Sequence, residues 1–188
     1  MNINDAWSSR SSVYNFNPNE NIINTLEFRK VIDIFSSNML SKNNEFPYGL
    51  DIIGWQNKEL RNFIYAKTQS LNDLKPNPQT LAPVIITFTI LDKNEIDMGL
   101  MEIGMAAMGL VQLLHAHGFK TGLCGCVNAK EEIAKKIAGK GSTYLILGIG
   151  IENRVRNPIA IDPFTDDLAY LDKAQIHPKP YPNIKFHP

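Results

Sequence analysis

Apolar positions along the chain fall into two registers, one of mixed three- and four-residue steps and one of continuous β-branched runs. Phe28, Val31, Ile32, Phe35 and Met39 follow the first, behind a Thr25 that can cap a helix N-terminus. That helix ends in the polar SKNNE stretch. A second helix is predicted from Asn57 or Lys58 to Ser70, carrying Leu60, Phe63 and Ile64. The longest pattern covers residues 97–117, is rich in Met, Leu and Ala, and holds no charged residue after Glu102. A helix apolar nearly all round must be buried on nearly all sides, and in so small a protein one face is expected to meet another subunit. A fourth helix is expected from an Asn128 cap to Ala138, where Gly139 stops it. Two runs, PVIITFTIL at 83–91 and YLILGIGI at 144–151, read as strands covered on both faces. FPYGLDIIGW at 46–55 reads as a loop entering a third strand.

Between these elements lie polar and proline-rich segments. Residues 1–20 are rich in Ser and Asn and read as an extended arm. LKPNPQT at 74–80 has two prolines and is a connection. GFKTGLCGC at 118–126 reads as a Gly- and Cys-containing loop. Beyond Pro158 there is no periodicity, but Phe164, Tyr170, Tyr181 and Phe186 are too many aromatics for a solvated linker. A tail over 159–188 that wraps a neighbouring surface is the expectation. The whole pattern supports a mixed α/β layer structure in a single domain over 1–188, with helices on both faces of a small sheet.

Charge and composition narrow the choice of partner. Among 188 residues, Lys plus Arg is 19 and Asp plus Glu is 19, so no long-range field favours nucleic acid or an anionic membrane. No uninterrupted apolar run reaches about 18 residues, and MNINDAWSSR lacks the basic-then-apolar pattern of a signal peptide, so a cytoplasmic protein without a membrane anchor is expected. Cys124 and Cys126 are the only cysteines and read as reduced packing thiols. His115 and His117, two apart on a helix, lie on different faces, so no metal site is expected. Met98, Met101, Met105 and Met108 form a stripe suited to core or subunit contact. No Ser/His/Asp set, P-loop, G-x-G-x-x-G or carboxylate pair is present; GIGIEN holds only G-x-G.

Four segments, in order, resemble the nitroreductase family. EIGMAAMGLVQLLHAHGFKTGLCG from Glu102 resembles its central helix and the loop after it, and VNAKEEIAKKI leads on into YLILGIGI in family order. RSSVYNF from Arg10 resembles the opening element, and RVRNP from Arg154 the segment after the last strand. The resemblance implies an α+β fold, a central, mostly antiparallel sheet flanked by helices, and an FMN cofactor at a homodimer interface, with the long helix at that interface. Arg10, Ser11, Ser12 and Tyr14, with Arg154 and Arg156, would lie at the phosphate and ribityl end, where a guanidinium can grip a phosphate bidentately. Backbone amides at Gly125 and Cys126 would face flavin N5 and its carbonyl oxygens, with Gly122 and Gly125 allowing close approach. FPYGLDIIGW resembles, through Pro47, Gly49 and the strand alone, the P-S-x-G-rich strand entry of the branch that oxidises azolines in modified peptides, which implies Pro47, Tyr48 and Gly49 at the cofactor.

The chain also departs from that pattern. Tyr14 stands where many members have a further basic residue, Gly109 replaces the usual Asn of the central helix, and P-S-x-x-N-x-Q-P-W is missing. The function implied is two-electron transfer through FMN to or from a small organic substrate, with NAD(P)H as donor. The alternatives are a flavin dehydrogenase or oxidase of the azoline type, and a diverged homodimer that binds flavin without catalysis or serves a structural role.

Overall fold

The computed structural model describes residues 16, 20–39, 46–68 and 77–151. Four helices and four strands are built from them: α1 (Leu26–Asn38), β1 (Tyr48–Gly54), α2 (Lys58–Thr68), β2 (Val84–Ile90), α3 (Ile96–Ala116), β3 (Lys120–Cys124), α4 (Lys130–Ala138) and β4 (Ser142–Gly150). Short 3-10 turns at Ile22–Asn24, Pro78–Leu81 and Lys93–Glu95 lead into α1, β2 and α3.

The helix ends follow local chemistry. Thr25 Oγ1 accepts the Phe28 amide at 3.3 Å, as expected of an N-cap, and Asn57 Oδ1 accepts the Leu60 amide at the start of α2. At the end of α3 the Phe119 amide reaches back to the Leu114 carbonyl and the Gly118 amide to that of His115. This is a Schellman closure, and it needs the left-handed φ of 87° that Gly118 supplies. Gly139, with φ 77°, closes α4 in the same region. Asn128 is not the cap of α4: the helix begins at Lys130 with Ala129 in the cap position and no side-chain cap bond.

The strands pair in the order β1-β2-β4-β3, every neighbour antiparallel. The predicted loop at 118–126 is overturned in part, because residues 120–124 form β3 and pair with β4 from Lys120↔Gly150 to Cys124↔Ile146. β2 is buried at every position, as its apolar run requires. Its alternate side chains serve two cores. Val84, Ile86, Phe88 and Ile90 point to α1 and α3, where they meet Phe28, Val31, Ile103, Leu110 and Leu114. Ile85 points to α2 and α4, where it meets Ile64 and Ile133. The Phe28 and Phe119 rings, edge to face at 5.9 Å, tie α1 to the end of α3.

One helix among the described residues, α3, is long and apolar enough to cross a membrane by length and composition. Its inner face belongs to the core through Ile103, Ala107, Leu110, Val111 and Leu114. Its outer face is bare in the single chain: Met101 and Met105 are more than half exposed and Leu100 is exposed beside them.

α2 turns a different face inward from the one its apolar residues suggest. Arg61, Ile64, Tyr65 and Thr68 are buried, while Leu60 and Phe63 are only partly covered. Arg61 has no exposed surface; its guanidinium donates to the carbonyls of Ile53, Thr80 and Ala82 and lies 5.1 Å from the Trp55 ring. The side chain therefore binds the end of β1 and the turn before β2 to α2. Burial pushes its pKa down to about 9, still above neutrality, so the group stays charged. Among the described residues no carboxylate forms an ion pair with it.

Candidate functional site

The register places the start of β1, the end of β2 and the start of β4 at one end of the sheet, through Tyr48↔Ile90 and Ile90↔Ser142. β3 is antiparallel to β4 and so runs toward that same end, where Gly125 and Cys126 leave it. Pro47–Gly49 and Gly125–Cys126 thus share an end of the sheet but sit on its two opposite edges. Three strand spacings, about 14 Å, separate those edges, so the two segments do not converge within one chain.

Each segment presents itself differently. Tyr48 is buried in the core and its ring packs edge to face on Phe46, with centroids 6.2 Å apart. Burial, with the nearby carboxylate of Glu102 on α3, pushes the Tyr48 hydroxyl up to about 12, so it stays protonated. Only the Pro47–Gly49 backbone is left to meet a ligand from this segment. Gly122 is not in a loop at all: it is buried inside β3, opposite Gly148. Gly125 is the exposed position. A Cβ built there would meet no other atom within 4 Å, so the space directly beside this backbone is open.

The loop around Gly125 is organised by sulfur. Cys124 is buried, and its sulfur accepts a hydrogen bond from the Asn77 side-chain amide. The Cys126 thiol is exposed. Burial is the dominant influence on the Cys124 thiol and raises its pKa. One residue further on, the Val127 amide bonds the Gly125 carbonyl at 2.9 Å, folding the chain tightly around Cys126. α4 starts shortly after, so its positive end lies close to this loop in sequence.

Asn77 is a residue that the sequence did not reveal, since it stands in what read as a proline-rich connection. The only available signal was local: Asn before Pro at the start of a turn, where its Oδ1 accepts the Gln79 amide. Arg10, Ser11, Ser12, Tyr14, Arg154 and Arg156 lie outside the described residues, as do nearly all of the arm and the tail. A groove of about 290 Å³ between α1 and β1, lined by Ile23, Phe28, Arg29, Ile32, Asp33 and Ile52, includes none of the expected site residues. No group of three or more metal-ligating side chains forms among the described residues.

No family model and no curated protein matches this chain by sequence. Its shape does have solved counterparts. A nitroreductase with bound FMN from Desulfitobacterium hafniense superposes with a TM-score of 0.67 at 17% identity, over 92% of this chain and 100% of the other. A nitroreductase family protein from Clostridium novyi gives 0.66 at 17% identity, over 82% and 87%. The FMN-dependent nitroreductase of Mycobacterium smegmatis in complex with NADPH gives 0.60 at 14% identity, over 80% and 87%. With its four antiparallel strands, a helix pair on each face and α3 at the centre of one layer, this chain has the nitroreductase fold.

Proposed function

We propose that this protein is an FMN-dependent oxidoreductase working as a homodimer, with NAD(P)H as electron donor and a small organic molecule as the other substrate. The observation that carries the reading is the Gly125 loop: an exposed, side-chain-free stretch of backbone at the end of β3, close before the N-terminus of α4, in a chain with the nitroreductase fold. The bound FMN and the NADPH of the solved counterparts support it. When bound, FMN supplies two-electron chemistry by passing a hydride through its N5.

The chain's own part is binding and electrostatics. Gly125 admits the ring, and the positive end of α4 favours the negative charge that reduction places on it. Arg10 and Arg156 would neutralise the phosphate, with Ser11, Ser12, Tyr14 and Arg154 around them. The backbone of Pro47–Gly49, on the far edge of the sheet, is assigned to the same kind of site. Because the two edges stay apart within one chain, a site using both would draw them from different subunits. The bare face of α3 supplies the dimer contact, and the cytoplasm is the compartment where NAD(P)H is at hand.

Titration with FMN, followed by quenching of flavin fluorescence, tests the reading. Stoichiometric uptake is expected, and Arg10→Ala should weaken FMN about tenfold to a hundredfold, the worth of a charge-assisted phosphate contact, while riboflavin binding changes little. A colourless protein that takes up no added FMN would overturn the enzyme and leave a structural homodimer. The dimer has its own test. Met105 is exposed in the single chain, so Met105→Glu should leave the monomer folded but place an unpaired carboxylate in the subunit contact. A shift from dimer to monomer by light scattering is expected; a dimer of unchanged stability would put the contact elsewhere.

A further inference from the structure

Among the described residues β1 pairs with β2 alone, so its outer edge is a row of backbone groups that a further strand can complete. The two faces of that edge differ in chemistry. Leu50 and Ile52 point to the α1 side, where Ile52 is exposed and lines the groove with Ile23 and Ile32. Asp51 points the other way, as Ile53 does, is half-buried, and has no cation paired with it among the described residues. Burial raises its pKa. Directly across on β2, Thr87 is buried with its hydroxyl unpartnered, so this cross-strand pair holds two polar groups that no described residue engages. Side chains alternate between faces along a strand. A segment that completes this edge therefore suits it best with a basic residue between two apolar ones.

We propose that residues 183–186 of this chain, Asn-Ile-Lys-Phe, seat on the free edge of β1, with Ile184 and Phe186 over the groove beside α1 and the Lys185 ammonium on the Asp51 carboxylate. Within residues 152–188 a lysine or arginine stands between two large apolar residues at this one place. Reach does not limit it. Ile149 pairs with Val84 and Val84 with Gly54, so the chain leaves β4 two strand spacings, about 10 Å, from β1. The stretch over 152–183 extends to roughly 100 Å. The triplet keeps its pattern in either strand direction, so parallel and antiparallel pairing both set Lys185 opposite Asp51. Backbone hydrogen bonds along β1 supply the affinity, and the charge pair and the groove fix the register. The seat lies on the strand that opens with Tyr48 and Gly49, so a docked tail closes the edge next to that segment. It rests on the β1 edge and does not depend on flavin binding.

The full-length protein is treated with a carbodiimide, which joins a carboxylate to a touching amine as an amide with loss of one water, and is then digested with trypsin. The expected product is the peptide 43–58 joined through Asp51 to the peptide 174–188 through Lys185, lighter than the two by one water. Asp51→Asn should abolish it. Hydrogen exchange of the amides at 48–54, followed by mass spectrometry, reads the strand pairing itself. The double variant Ile184→Glu/Phe186→Glu should speed exchange of the outward-facing amides about tenfold or more, with the rest of the sheet unchanged. Asp51→Lys and Lys185→Glu should each do the same in part, and together restore protection. Asp51 joined to another lysine or to none overturns the seat. So does protection of 48–54 that survives the double variant, since a second copy's β1 or a foreign chain then covers the edge.

Discussion

Replacing Arg61 with methionine is expected to cost about 3 kcal/mol of stability, a fall of about 6–12 °C in melting temperature for a chain of this size. The guanidinium serves three backbone carbonyls at once, those of Ile53, Thr80 and Ala82, all in a region closed to water. A methionine of similar length fills the space but leaves buried acceptors unpaired, each at roughly 1–3 kcal/mol. Against this stands the relief of no longer burying a charge that has no carboxylate partner among the described residues, which is why the expected loss is less than the sum. Arg61→Lys should recover only part, because one ammonium cannot fork to three carbonyls. Thermal unfolding followed by circular dichroism reads all three proteins, and equal midpoints would show that the turn is held by its packing alone. The consequence reaches the candidate site, since that turn begins at Asn77 and Asn77 holds Cys124.

Most of the architecture could be read from apolar periodicity. α1, α3, β2 and β4 are long or uniform enough that burial decides their conformation, and their limits came out within two residues of those expected. β3 could not be read this way. KTGLC is short, contains a glycine and has only one β-branched residue, so nothing local marks it as a strand. Pairing with β4 makes it one, and that pairing is a fact of tertiary structure. α2 misled for another reason: its apolar residues Leu60, Phe63 and Ile64 suggest one face, whereas the buried stripe is centred on a charged residue. An arginine at helical spacing with Ile64, Tyr65 and Thr68 is a usable sign of burial only if the carbonyls it will meet are known.

Of the residues expected at the site, the structure describes Pro47, Tyr48, Gly49, Gly122, Gly125 and Cys126. Gly125 was picked out by its place after the central helix, and the structure leaves its backbone open. Gly122 carried the same signal but lies inside the sheet. Spacing alone cannot separate these cases, because whether a glycine in such a run pairs or projects depends on where the partner strand ends.

The G-x-G of β4 has a structural explanation, and it leads to a sharp contrast between two glycines. Gly148 and Gly150 alternate on the face of the sheet where the turn at Pro78–Leu81 and Phe16 lie directly against the strand. A Cβ on Gly148 would stand 2.5 Å from the Gln79 carbonyl oxygen and 3.1 Å from Ala82 Cβ. Backbone cannot swing aside as a flexible side chain can, so Gly148→Ala should cost about 2–3 kcal/mol as the turn is pushed off the sheet, and Gly148→Val more. The displaced turn carries Asn77, so the Cys124 sulfur should lose a donor in the same variant. Gly125→Ala meets open space and should stay within about 0.5 kcal/mol of the parent, while its added methyl obstructs the flavin and lowers FMN affinity. Urea unfolding of the two variants beside FMN titration of both separates the roles: loss of stability at 148 and loss of binding at 125 are expected. If Gly148→Ala unfolds at the parental urea concentration, the turn does not rest on the strand as closely as these distances require.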